Sequence, residues 1–308
     1  MRRPLVNLFF VAVPWLWFLV RDGHPVLDTI AIGLPVVVTA VVGLGALVAA
    51  VRGRWGLLVG ALSWLVFGAV TIVGPWLPRQ TDSPTEGVRV VAANVHGDDA
   101  REPVVAAELS AQAAQVLVVS EISRELHNLL SARYPHVLDS RAGNGPPAVA
   151  VFSDLPLTDL GLPGGLRGQR GLRVQVEGPA GPFVLYGMHL DRPRFGPSVG
   201  PQVSVRAHRR IIASLRDAAA AEELPVVVAG DLNLVDRSSG YRRLTGHFDD
   251  AMLAGWGRPT AYRPIGLPFL PRIDHVLMPA GWCSTSPAVV NLTGSDHRAV
   301  GATVGPCP

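Results

Sequence analysis

Residues Pro225–Val235 read PVVVAGDLNLV. Three valines and an alanine closed by Gly230 have the composition of a strand buried on both faces. The run then turns polar at Asp231 and Asn233, with Leu232 between them. Alternate residues of a strand share a face, so the spacing predicts that Asp231 and Asn233 reach one ligand while Leu232 faces the packing side. Polar groups beside an apolar core are costly unless bonded, which marks this strand end as a site.

Other segments repeat the pattern. VRVVAANV, VLVVSEI, AVAVFSD, LRVQVE, FVLYGMHL, RIDHVLM and HRAVGATV are short, rich in β-branched residues and bounded by turn formers, as strands are. Glu102 to Ala114, Ser123 to Arg133 and Gln202 to Ala221 carry helical spacing. Many strands with few helices predict two packed sheets flanked by helices. Several strands end, or begin, in a residue that an apolar core does not favour: Asn94, Glu121, His189, Asp231 with Asn233, and Asp274. The segment GSDHRAV adds Asp296 and His297.

Each residue has a plainer reading. Asn94 suits a turn, Glu121 a helix cap beside Ser123, His189 a bonded core position, and Asp274 an ion pair with Arg272. Together they form a set of carboxylates, carboxamides and imidazoles at strand ends, where α/β scaffolds gather their sites. Such a set suits a hard divalent cation and a phosphate ester, since Mg²⁺ takes oxygen ligands and keeps several waters. Nine histidines and two cysteines show no HExxH or paired CxxC spacing, which argues against a zinc protein.

The chain is apolar: 17% of its 308 residues are charged and its mean hydropathy is +0.30, against about 25% charged in soluble domains. The excess lies in Leu5 to Val20, Thr29 to Val51 and Trp55 to Leu77. These runs predict three transmembrane helices within residues 1–77, although the first also resembles a signal peptide behind Arg2 and Arg3. Arg2, Arg3, Arg52 and Arg54 lie on one side and Arg21 and Arg79 on the other. The positive-inside rule therefore places the N-terminus in the cytoplasm and everything after Leu77 outside, in a multi-pass protein of the cell membrane. Residues 78–87, PRQTDSPTEG, read as a linker, and residues 88–308 as one catalytic domain. Cys283 and Cys307 fit either a disulfide, which that side permits, or two buried thiols.

The motifs NVHG, SEIS, GMHL, GDLN, RIDH and SDHRAV, in that order, resemble the endonuclease/exonuclease/phosphatase superfamily, which includes deoxyribonuclease I. The resemblance implies a four-layered α/β sandwich of two facing mixed sheets and a Mg²⁺- or Mn²⁺-dependent hydrolysis of phosphodiesters or phosphomonoesters by activated water. It implies that Asn94, Glu121 and Asp296 serve the metal. It also implies that His189 stabilises the scissile phosphate, Asp231 orients or deprotonates the water and Asn233 positions the phosphate. Asp274 would support His297, which contacts the phosphate. Ser120 stands where many members carry glutamine, and Met188 where threonine is common; neither change removes a ligand or proton-transfer group. No tyrosine is assigned a role, Tyr134 being the one in the middle segment.

Arginines surround these motifs, and Arg170 and Arg192, in loops, are candidates for substrate phosphate. Arg206, Arg209 and Arg210 read as a solvated helix face. The substrate expected is a phosphate ester, whether lipid headgroup, nucleic acid or small molecule. The bilayer is the partner of the N-terminal segment, and nothing in the sequence points to a protein partner. The alternatives are an extracellular nuclease and an inactive phosphate-ligand-binding membrane protein.

Overall fold

A computed structural model of the chain describes residues 3–53, 55–79, 82–96, 101–140, 146–193, 201–261 and 271–308. It begins with helices α1 (Arg3–Val20), α2 (Pro25–Arg52) and α3 (Trp55–Gly68), the last continuing through π and 3-10 turns to Trp76. Then follow β1 (Val88–Asn94), α4 (Glu102–Ser110), β2 (Val116–Ser120), α5 (Arg124–Ser131), β3 (His136–Asp139), β4 (Val149–Ser153) and β5 (Leu157–Asp159). Next come β6 (Arg170–Gly178), β7 (Gly181–His189), α6 (Pro201–Ala220), β8 (Val226–Asp231), α7 (Ser239–Thr245) and β9 (Phe248–Asp250). The chain closes with β10 (Asp274–Pro279), β11 (Trp282–Asn291) and β12 (Arg298–Pro306).

Two six-stranded sheets run β11-β12-β1-β2-β4-β3 and β5-β6-β7-β8-β10-β9. Alternation along each central strand builds the layers. In β1, Val88, Val90 and Ala92 enter the core between the sheets, while Val91 and Ala93 pack outward with Val105, Leu109, Leu126 and Leu130 of α4 and α5. In β8, Val227 and Ala229 face that inner core, and Val226 and Val228 pack with Ile212 and Leu215 of α6. The result is the expected four-layered sandwich.

Within each sheet one pair is parallel, β1 with β2 and β7 with β8. The carboxyl ends of these four strands therefore meet at one edge, joined by the start of antiparallel β10, where Asp274 pairs with Asp231. Gly230 holds this edge tight. Its φ is +137°, and a Cβ there would lie 2.0 Å from the Met188 carbonyl oxygen, so no side chain fits.

The sequence reading omitted β3, β5, β9, β11 and α7. Strand β11 carries a bulge between Thr285 and Ala288 with Pro287 inside it, which an edge strand tolerates. Cys283 and Cys307 form a disulfide between β11 and the end of the chain, with Cα atoms 5.0 Å apart.

Where three membrane spans are expected, two helices qualify as candidates. Among the described residues, Pro25–Arg52 and Trp55–Trp76 are long and apolar enough to cross a bilayer, whereas the apolar part of the first helix is only Asn7–Val20. The first helix packs on the other two, and Trp15 donates to Ser63 Oγ at 3.0 Å.

Candidate active site

The cleft at the shared edge is lined by Glu121, His189, Asp231, Asn233, Asp296 and His297, with His96, Arg170, Asp191 and Arg192 around it, and has a volume of about 280 Å³. Asn94 joins its two walls. Its Nδ2 donates to Glu121 Oε1 at 3.1 Å and to Asp231 Oδ2 at 3.0 Å, while its Oδ1 accepts from the His96 amide at 3.2 Å. Asn94, expected to serve the metal, here turns its amide nitrogen toward both carboxylates and so fixes their positions.

Asp231 and Asn233 do converge, but by a route other than strand alternation. The strand stops at Asp231, and Asn233 lies in the following loop at φ +49°. Asp231 Oδ1 accepts from the Asn233 amide at 2.9 Å, and Asn233 Nδ2 reaches Asp231 Oδ2 at 3.2 Å and the Leu190 carbonyl at 2.8 Å. Leu232 is fully buried on the packing side.

Glu121, also at positive φ (+54°), turns into the cleft after β2. It does not cap the next helix: Ser123 does, accepting from the Leu126 amide at 3.0 Å. His96 stands at φ +47°. Three of the five described non-glycine residues at positive φ thus line one cleft, and such strain persists where the surroundings impose it.

Asp274 bonds the other key imidazole. His297 Nδ1 donates to Asp274 Oδ2 at 2.9 Å and Oδ1 at 3.2 Å, while its Nε2 faces Asp231 Oδ2 at 3.9 Å. Arg272 does not pair with Asp274; it bonds Asp236 and Asp250. Ser295 donates to the Asn94 carbonyl at 2.7 Å and accepts from the His297 amide at 2.9 Å, fixing the SDH segment to β1.

Burial and charge set the protonation states. Burial works against the His297 imidazolium, but the charge and hydrogen bond of Asp274, with Asp231 and Asp296, outweigh it and raise its pKa to about 10. Burial lowers His189 to about 4, helped by Arg170. Burial, then Asp274, raises Asp231 to about 7. Burial opposes ionisation of Glu121, yet the Asn94 hydrogen bond and the neighbouring histidines leave its pKa lowered. These shifts favour a cationic His297 and a neutral His189 and make Asp231 a stronger base than an ordinary carboxylate, as a general base requires.

The residues fit a divalent cation. Asp296 Oδ1 is buried without a hydrogen-bond donor, a costly state for a carboxylate oxygen. His96 Nδ1 lies 3.8 Å from this atom and 3.4 Å from Glu121 Oε2, so the two carboxylates border the same space. Asp231, Asp274 and His297 also bring ligand atoms within 4.8 Å of one another. There, however, both Asp274 oxygens are taken by the N–H of a cationic imidazole, which leaves an Asp–His pair and no open ligand set.

The chain belongs to the endonuclease/exonuclease/phosphatase family. The family model, described as the Endonuclease/Exonuclease/phosphatase family, matches residues 91–297. Among solved structures, an endonuclease/exonuclease/phosphatase from Beutenbergia cavernae is 22% identical with a TM-score of 0.54, over 72% of each chain. Sphingomyelinase C from Streptomyces griseocarneus is 18% identical with a TM-score of 0.51, over 71% of this chain and 99% of the other. Beta toxin from Staphylococcus aureus, with bound magnesium ions, is 13% identical with a TM-score of 0.53, over 70% and 99%. No curated protein matches the sequence. Members of the family hydrolyse phosphoester bonds with a divalent metal, and this one has the family fold with an acidic and histidine cluster at its centre.

Of the other candidates in this family member, Arg170 and Arg192 reach the cleft rim; Arg170 Nη2 bonds Asp191 Oδ1 at 2.7 Å. Arg209 is instead paired with Asp28, and Arg173 with Glu222. Tyr134 is buried in the core under α5. His96 and Asp191 escaped the sequence reading. For His96 a signal existed, since it follows Asn94 by the same two-residue step that separates Asp231 from Asn233.

Proposed function

We propose that this chain is a divalent-metal-dependent phosphoesterase, held in a membrane by its N-terminal helices and acting on phosphate esters at the outer surface. The observation that carries the reading is the gathering of Glu121, Asp231, Asn233, Asp296, His189 and His297 around one cleft, with His297 held cationic by Asp274.

In this reading Glu121, oriented by Asn94, and Asp296 hold the cation, with His96 beside them. The ion, Mg²⁺ or Mn²⁺, supplies charge neutralisation at the phosphoryl oxygens when bound. His297 donates to the phosphate, giving preorganised stabilisation of developing charge, and Asn233 helps to position it. Asp231 takes a proton from the attacking water. His189, neutral and buried, donates a hydrogen bond to the scissile phosphate. Arg170 and Arg192 steer the anion to the cleft.

The membrane reading is supported by the apolar belt around the helices, where Leu44 is 64%, Leu47 61% and Val51 75% exposed. It is also supported by the disulfide, since such bonds persist on the oxidising side. Helix α2 has 28 residues, and about twenty are enough to cross the bilayer. Its first turns then stand above the hydrocarbon, beside the loop carrying Asn233. A cleft at that height favours phosphodiester headgroups of lipids in the same bilayer. On this reading residues 1–77 form the membrane segment and 88–308 the catalytic domain.

Purified full-length protein, in vesicles of defined composition, is expected to release product from a lipid phosphodiester with Mg²⁺ and to stop with a chelator. Asp231→Ala is expected to abolish turnover while the protein stays folded. Turnover on plasmid DNA that weakens steeply with salt, without turnover of lipid, would favour a nuclease. Ligand binding without turnover would favour an inactive binding protein.

A further inference from the structure

We infer that the N-terminal helices are a working part of the catalytic site: Asp28 and Arg237 are positioning residues that fasten the loop carrying Asn233 to α2. This rests on the phosphoesterase reading for its catalytic meaning, though the fastening is visible by itself.

The loop between β8 and α7 has no regular structure, yet every residue from Leu232 to Ser238 is buried except Asn233, which is half-buried. Buried backbone without secondary structure must find other partners, and α2 supplies them. Asp28, in the first turn of α2, accepts from the Ser239 amide at 2.7 Å, from Ser239 Oγ at 2.6 Å and from Arg209 Nε at 3.0 Å. Farther along α2, Pro35 has no N–H, so the carbonyl of Ala31 lacks its helical donor. Arg237 takes that place, its Nε donating to Ala31 O at 2.6 Å and its Nη2 to Ile32 O at 2.9 Å. The helix break and the loop arginine complement each other.

The bracing continues inward. Asp236 accepts from Arg272 Nε at 3.2 Å and from Trp76 Nε1, at the end of the third apolar helix. Arg272 Nη2 donates to Asp250 at 2.7 Å and to Tyr241 at 2.8 Å, two residues before Asp274. One buried network thus joins both membrane helices to the segments bearing Asn233 and Asp274. A flexible tether would not need buried charges, which are costly to desolvate. Asn233 lines both the cleft and the small cavity it shares with Asp28, Ile32 and Arg209.

The test uses the full chain in detergent micelles with bis-nitrophenyl phosphate and Mg²⁺, comparing Asp28→Asn, Arg237→Gln and Arg237→Lys with a control, Glu222→Gln. The control breaks a different ion pair, with Arg173. Amide hydrogen exchange across residues 232–239 is expected to quicken about tenfold or more in Asp28→Asn and Arg237→Gln, with the central strands unchanged. Their kcat is expected to fall about 10- to 100-fold with KM little moved, because small misplacements of catalytic groups cost that much. Arg237→Lys is expected to recover part of the loss, and Glu222→Gln to keep the wild-type kcat. Unchanged loop exchange, or quickened exchange with an unchanged kcat, overturns the inference. A wild-type chain without turnover sinks the phosphoesterase reading, while loop exchange still decides the fastening.

Discussion

Asn94 and Asp231 belong to different sheets, and the Asn94 carboxamide donates to Asp231 Oδ2 at 3.0 Å while also holding Glu121 Oε1 at 3.1 Å. The bond makes the site a property of the whole sandwich, since neither sheet carries both halves. Asn94→Ala is expected to raise the Mg²⁺ concentration for half-maximal turnover about 10- to 100-fold, the usual cost of losing a group that orients a ligand. A metal titration of turnover checks it, and a wild-type curve would show that Asn94 orients nothing.

Asp274→Asn preserves the shape beside His297 and removes its counter-charge. With Asp274 gone, burial disfavours the imidazolium, and the cation that faces Asp231 is lost. The expected result is a fall in kcat of about 10²- to 10³-fold, the scale for removing one preorganised donor from a transition state. Steady-state kinetics on a small diester reads it directly. A loss confined to KM would mean that His297 only binds substrate.

Much of the architecture was legible because it rests on local rules. The alternation in β1 and β8 and the polar residues closing apolar strands follow from sequence spacing alone. What escaped depends on contacts far apart in the chain. Asp28 ends a polar stretch before an apolar run, and nothing local says that Ser239 and Arg209 will enclose it. An acid in the first turn of a long apolar helix is itself a functional signal, and it passed unread. Asn233 was placed correctly for the wrong reason, since a left-handed loop residue and not strand periodicity brings it to Asp231. Strand β11 was hidden by its serines and Pro287, which suit a bulged edge but imitate a turn.

Asp250 carries the clearest acid sensitivity outside the cleft. Burial alone would raise its pKa, but Arg272, followed by His275, holds it well below the usual carboxylate range. A carboxylate depressed in the folded state stabilises the protein above its unfolded pKa of about 4 and loses that contribution as pH falls further. Stability should therefore fall as pH drops below about 4, with a slope to which Asp250 contributes. Asp250→Asn is expected to lose about 3 to 5 kcal/mol at neutral pH, because it leaves Arg272 short of a buried partner, and to flatten that slope. Denaturant titrations at a series of pH values test both statements.

The Cys283–Cys307 disulfide links the edge strand β11 to the chain end across 24 residues. Closing a loop of that size stabilises by about 3 kcal/mol in the chain-entropy account. The variant with both cysteines changed to alanine is expected to unfold earlier by about that amount, and a reductant should bring wild type to the same midpoint. The bond also reports the side of the membrane. If the domain faces outward, protein taken from its native membrane, denatured without reductant and treated with an alkylating reagent should gain no label, because both sulfurs are already joined. Two labels per chain would place the domain in a reducing compartment and overturn the outward orientation that the disulfide supports.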